Sequence, residues 1–211
     1  MTEQSVASLE PRLQKLVESA RVAFERGNHD YAVELAREVL AAAPGCLPVR
    51  KLLRTAQLKR GASGGGFFTK VLGSVSTAPF LVSGNAALAK DPSKALVSAQ
   101  KMLDADPNSA AGLRLLGGAA TALGWHETAV FAFEALRENA PDDLANLVAL
   151  GRAHLGAGRA DAAVRCAEAV LARESINGAA QALLKDASVA QTMKAGRWEE
   201  GGDFRAKVKA T

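Results

Sequence analysis

The chain has 211 residues, with 26 basic and 22 acidic side chains, two cysteines and 5% aromatic residues. Alanine makes up about one residue in five, which disfavours a β-sandwich or barrel, and 48% apolar residues with a net charge of only +4 exclude general disorder. Cys46 and Cys166 are too few for a disulfide framework or a zinc site, and MTEQSVASLEPRLQKL lacks a basic-then-apolar secretory pattern; a reducing, cytoplasmic setting is expected.

In chain order, helical spacing first appears over 13–44, where Leu16 and Ala20 precede a turn at Gly27 and a second helix begins near Tyr31 and Ala32. Pro44 ends that second helix. The next helix is predicted over 48–60, with Val49, Leu52, Leu53 and Ala56 facing inward. GASGGG then reads as a flexible connector, followed by FFTKVLGSV, a truncated helix carrying Phe67 and Phe68. Ser76-Thr77-Ala78-Pro79 supplies a cap and a helix-compatible proline for the following helix.

Charge is uneven along this stretch. No acidic residue lies between Glu38 and Asp91, while Arg50, Lys51, Arg54, Lys59, Arg60, Lys70 and Lys90 give it +7. The first six form a candidate basic patch for an anionic membrane surface, docked through 48–75 with Phe67 and Phe68 at the interface. The alternative, which the sequence favours, is a solvated basic face with both phenylalanines packed inside. A spanning helix between Lys70 and Lys90 is excluded, because Gly73, Pro79, Gly84 and several hydroxyls interrupt the apolar run. Nucleic acid is disfavoured, since no aromatic residues interleave with the charges for stacking.

From 76 onward a period emerges. Pro107 and Pro141 are 34 apart, as are Gly117 and Gly151, Gly124 and Gly158, and Ala129 and Ala163. Each unit reads as two helices: the first stops at Gly124 or Gly158, able to take φ > 0, and the second opens near Glu127 or Asp161. Gly117 and Gly151 fall inside first helices, where glycine costs about 0.8–1.0 kcal/mol relative to alanine. A cost repeated in phase predicts close helix–helix contact there. A last single helix over 177–194 reads as a polar cap.

These residues resemble the tetratricopeptide repeat: the Leu116-Gly117 and Leu150-Gly151 pairs, the turn glycines, the alanines opening second helices and the terminal prolines. The resemblance covers 110–175 and 13–44, and partly 76–107, where Lys90 replaces the turn glycine. The family's large aromatic in the first helix is replaced by Leu16, Leu113 and Leu147. The resemblance implies an all-α solenoid of antiparallel helix pairs in a right-handed superhelix, with first helices lining a concave groove. The residues that it assigns to the groove are Arg21, Phe80, Ala111, Arg114, Gly118, Val148, Arg152 and Leu155, with Arg114 and Arg152 suited to a carboxylate or phosphate. The family's chaperone-binding lysine and asparagine clamp is missing, because Gly118, Ala145 and Ala149 stand at those positions.

No catalytic constellation is visible. His29, His126 and His154 lie in no metal-ligand spacing, Cys46 and Cys166 have no adjacent base, and GASGGGFF is not followed by a phosphate-loop lysine. No cofactor or metal is expected. The tail carries Trp198 and Phe204 among glycines and charges, a candidate docking motif or a simple flexible end. The expected organisation is therefore 1–60 as a repeat unit with a basic helix, 61–75 as an irregular joint, 76–194 as repeats with a cap, and 195–211 as tail. The function expected is a non-catalytic scaffold for a partner protein or peptide, with peripheral membrane docking as the alternative.

Overall fold

The computed structural model describes residues 2–61 and 77–202, with side chains to 194. Among the described residues there are ten α-helices and a short 3-10 turn, Val6–Ser8. The helices are α1 (Pro11–Glu25), α2 (His29–Ala42), α3 (Leu47–Arg60), α4 (Ala78–Leu88), α5 (Pro92–Ala105), α6 (Ala110–Ala122), α7 (His126–Asn139), α8 (Leu144–Gly156), α9 (Ala160–Leu171) and α10 (Gly178–Gly202). Helices α1, α4, α6 and α8 are the first members of antiparallel pairs, and α2, α5, α7 and α9 the second. The connector at 62–66 and the truncated helix with Phe67 and Phe68 fall outside the described residues.

Local chemistry sets these boundaries. Asn28, Asp91, Ser109 and Asp143 each accept a hydrogen bond from the backbone N–H three residues on, capping α2, α5, α6 and α8. Proline occupies the first turn of α1, α3, α4 and α5, where no N–H partner is needed. Thr77 takes the cap position of α4 but makes no side-chain cap bond, so Pro79 alone defines that start.

Three turns between pair members use glycine with φ of +77° at Gly27 and +73° at Gly124 and Gly158. In each, the next residue's N–H reaches back five residues: Asn28 to Ala23, Trp125 to Ala120 and Arg159 to His154. The α4–α5 turn differs. Lys90 has no positive φ, and Asp91 N–H instead bonds Ala87 O at 2.7 Å.

The chain forms two compact units, residues 1–139 and 140–211. In the first, Leu9, Val17, Val33, Val39, Val49 and Leu53 are buried together between α1, α2 and α3. Leu96, Met102, Leu113, Leu116, Trp125 and Leu136 are buried in α4–α7 and their turns. In the second, Leu150, Val170 and Leu183 fill the space between α8, α9 and α10. A fully buried Leu or Val stabilises by roughly 1.5–3 kcal/mol. Ala129 and Ala163 are fully buried, and the ring of Phe133 packs on Gly117, so small residues let paired helices approach. The boundary between the two units, at 139/140, lies within the 76–194 block, and side chains of α2 and α3 meet α5 inside the first unit. The last helix runs to Gly202, beyond the expected end at 194.

Candidate partner-binding site

The spacing that buries Leu113, Leu116, Gly117 and Ala120 in α6 turns Arg114 outward, and it is exposed. Ala111 and Gly118 on the same helix are half-buried. A Cβ built on Gly118 would lie 3.3 Å from Leu88, so this glycine admits the neighbouring first helix α4 rather than a ligand. Phe80 on α4 is half-buried, with the Lys101 ammonium of α5 lying 5.1 Å above its ring centroid. On α1, Arg21 is exposed with its guanidinium 4.0 Å from Glu18.

In the second unit, Arg152 is exposed on α8, while the two apolar residues assigned beside it are not presented as expected. Val148 is only 6% exposed and packs with Leu147, Val170 and Ala180. Leu155 is half-buried against Ala163, Ala167 and Leu183. Both are drawn inward because their own unit offers apolar surface to cover. Ala145 is exposed and Ala149 half-buried.

The basic patch needs a larger correction. Arg50 is 4% exposed. Its two terminal nitrogens donate to Gln100 Oε1 at 2.7 Å and Pro44 O at 2.9 Å. Burial pushes its guanidinium down to about 10, with Asp104 and Cys46 opposing the shift, so the group remains charged at neutral pH. Arg54 donates to Pro107 O and to Asn108 Oδ1, and its guanidinium is also lowered by burial, against the pull of Glu138 and Asp106. Gln57 is buried as well. Asp104 gathers the seam, accepting from Arg37 at 3.1 Å, Gln57 at 2.9 Å and Gln100 at 3.1 Å.

Arg60 is half-buried and lies 3.6 Å from Asp30. Lys51 and Lys59 are exposed, whereas Lys70 lies outside the described residues. Arg50, Arg54 and Arg60 are thus faced by carboxylates that the linear window excludes, and α3 meets α5 through polar side chains rather than forming a uniformly solvated basic face. Between α3 and α5–α7 lies a small crevice of about 20 Å³, lined by Arg50, Arg54, Gln57, Leu103, Leu116 and Phe131.

Sequence reasoning missed the acceptor Asp104, the buried Gln57, and a cap on α7. Trp125 occupies the position before α7, where the other capped helices have Asn, Asp or Ser, and it offers no side-chain acceptor. The Glu3 carboxylate fills that role, accepting from Glu127 N–H at 3.3 Å and from Thr128 N–H and Oγ1–H at 2.6 Å each. The available signal was the tryptophan at a cap position. Trp198 and Phe204 of the tail have no described side chains. Among the described residues no cluster of three His, Cys, Asp or Glu could hold a metal ion, and no helix is long and apolar enough to cross a membrane.

No family model matches the chain, and no curated protein matches it. Solved structures do. The TPR2AB domain of yeast Sti1, in a pHSP90 complex, superposes with a TM-score of 0.52 at 15% identity, covering 83% of this chain and 69% of that one. A thermophilic TPR protein of Thermus thermophilus gives a TM-score of 0.48 at 19% identity, covering 84% of this chain and 99% of that one. A tetratricopeptide repeat protein of Parabacteroides merdae gives 0.45 at 14% identity, covering 85% and 60%. With its serial antiparallel pairs, glycine turns and small residues at the pair contacts, the chain has the all-α solenoid fold of the tetratricopeptide-repeat type.

Proposed function

We propose that the chain is a non-catalytic scaffold that binds a partner protein or peptide on the outward faces of its first helices. The observation that carries this reading is the use of the two helix classes. First helices bury one face in their pairs yet present Arg114 and Arg152 outward, one in each unit. A guanidinium on such a face pairs bidentately with a carboxylate or phosphate. The Sti1 domain of like fold is described in complex with pHSP90, which supports a protein or peptide as the class of ligand. A chaperone tail is not the partner proposed, because Gly118, Ala145 and Ala149 replace the residues of that clamp.

Affinity capture from the native lysate, comparing the wild type with Arg114→Ala/Arg152→Ala, tests the reading. Loss of a specific partner from the double variant, with the fold unchanged by circular dichroism, supports it. Retention of every partner removes the two arginines from the site.

A further inference from the structure

In a stacked-repeat protein each pair touches mainly its chain neighbours. The N-terminal segment breaks that pattern within residues 1–139. Gln4 N–H donates to Gly45 O at 2.9 Å, and Gln4 forms an isolated parallel bridge with Cys46, at the corner between α2 and α3. One residue earlier, the Glu3 carboxylate caps α7 through Glu127 and Thr128, 125 residues distant from Thr128 in sequence. Gly45 is shaped to this crossing: a Cβ there would lie 2.7 Å from Thr2 O and 3.3 Å from Trp125 Cζ2. Three groups therefore meet at one point, namely the α2–α3 corner, the segment and the turn before α7.

The hold is polar. Thr2 and Ser5 are exposed and Glu3 and Gln4 half-buried; among the described residues Val6 is the first to pack, partly buried, on the core, and Leu9 is the first buried apolar side chain. Charge-assisted hydrogen bonds of this kind bias an equilibrium by about ten- to a hundredfold, enough to favour closure without making it permanent. The hydrogen bonds between α3 and α5 are likewise made by polar side chains, Arg50 to Gln100 and Gln57 to Asp104.

We propose that Thr2–Gln4 is a releasable strap, which when closed ties the α2–α3 corner to the start of α7 and when released leaves α7 uncapped and the corner open. The strap controls how firmly α1–α3 is held on α4–α7, independently of which partner the first helices bind.

The chain carries its own probes. Cys46 is fully buried beside the strap, and Cys166 is buried in the second unit. Maleimide labelling of the full chain, read at each cysteine by mass spectrometry, would be combined with amide exchange at Glu127 and Thr128. In Glu3→Ala, Cys46 labelling and exchange at both amides rise by about tenfold while Cys166 is unchanged. Gly45→Ala, which forces the Thr2 backbone aside and brings a methyl to 3.6 Å from Glu3 Cα while keeping the Glu3 carboxylate, gives the same local pattern. Unchanged Cys46 labelling and amide exchange in Glu3→Ala overturn the proposal. So does parallel acceleration at both cysteines, which reports general unfolding rather than release of a strap.

Discussion

The ring of Phe133 occupies the space into which a Cβ at position 117 would project, so Gly117 is the contact point of α6 with α7. Gly117→Ala gains about 0.8–1.0 kcal/mol of helix propensity but forces an aromatic ring off its packing, at a cost of about 1–3 kcal/mol. The net change is expected to be destabilising, read as a lower urea midpoint. Gly151→Ala meets the end of the flexible Leu183 side chain first, with Cys166 Cβ at 3.0 Å. It should cost less than Gly117→Ala; a larger loss for Gly151→Ala would mean that Leu183 yields less readily than the Phe133 ring.

Turn glycines separate in the same way. Gly124→Ala and Gly158→Ala place a Cβ on left-handed backbone and should each lose about 1–2 kcal/mol. Lys90→Gly should give no gain, because that turn has no positive φ to relieve. Glycine there adds only unfolded-state freedom, a loss of about 0.5–1 kcal/mol. Thermal unfolding of the three variants checks the contrast.

Asp104 is the acceptor on which the α2–α3–α5 seam converges. Asp104→Leu removes the partner of Arg37, Gln57 and the Gln100 amide and takes the neighbouring negative charge from buried Arg50. A loss of about 3 kcal/mol is expected. Arg50→Met keeps the packing stem and removes the buried charge, leaving Gln100 Oε1 and Pro44 O without this donor, and should cost about 1–3 kcal/mol. Denaturant titration that finds Arg50→Met the worse of the two would make Arg50, not Asp104, the centre of the seam.

Lipid contact through α3 is not expected, since Arg50 and Arg54 are committed to Gln100, Pro44, Pro107 and Asn108. Lys51 and Lys59 are the exposed basic side chains of α3. Lys51→Glu/Lys59→Glu should leave cosedimentation with anionic vesicles unchanged. A marked drop would place α3 on lipid.

Much of the architecture was legible because it is periodic. Gly117 and Gly151, Gly124 and Gly158, and Pro107 and Pro141 each act locally, and a 34-residue spacing exposes them. The seam was not legible, because Arg50 finds Gln100 fifty positions away and nothing local distinguishes it from exposed Lys51. Glu3 was hidden for the same reason. The site was only partly legible: Arg114 and Val148 hold the same phase of the repeat, yet one is exposed and the other buried. Phase assigns a face, and the chemistry of each side chain with its neighbours decides whether that face is covered.

The scaffold reading is tested most directly by quantitative capture with charge reversals on the two helix classes. Arg114→Glu and Arg152→Glu alter first helices, whereas Arg137→Glu and Arg165→Glu alter exposed positions of second helices. A specific partner should fall by about tenfold or more with a first-helix reversal and stay within about twofold with both controls. Equal retention by all four variants, or a loss confined to Arg137→Glu and Arg165→Glu, would contradict it.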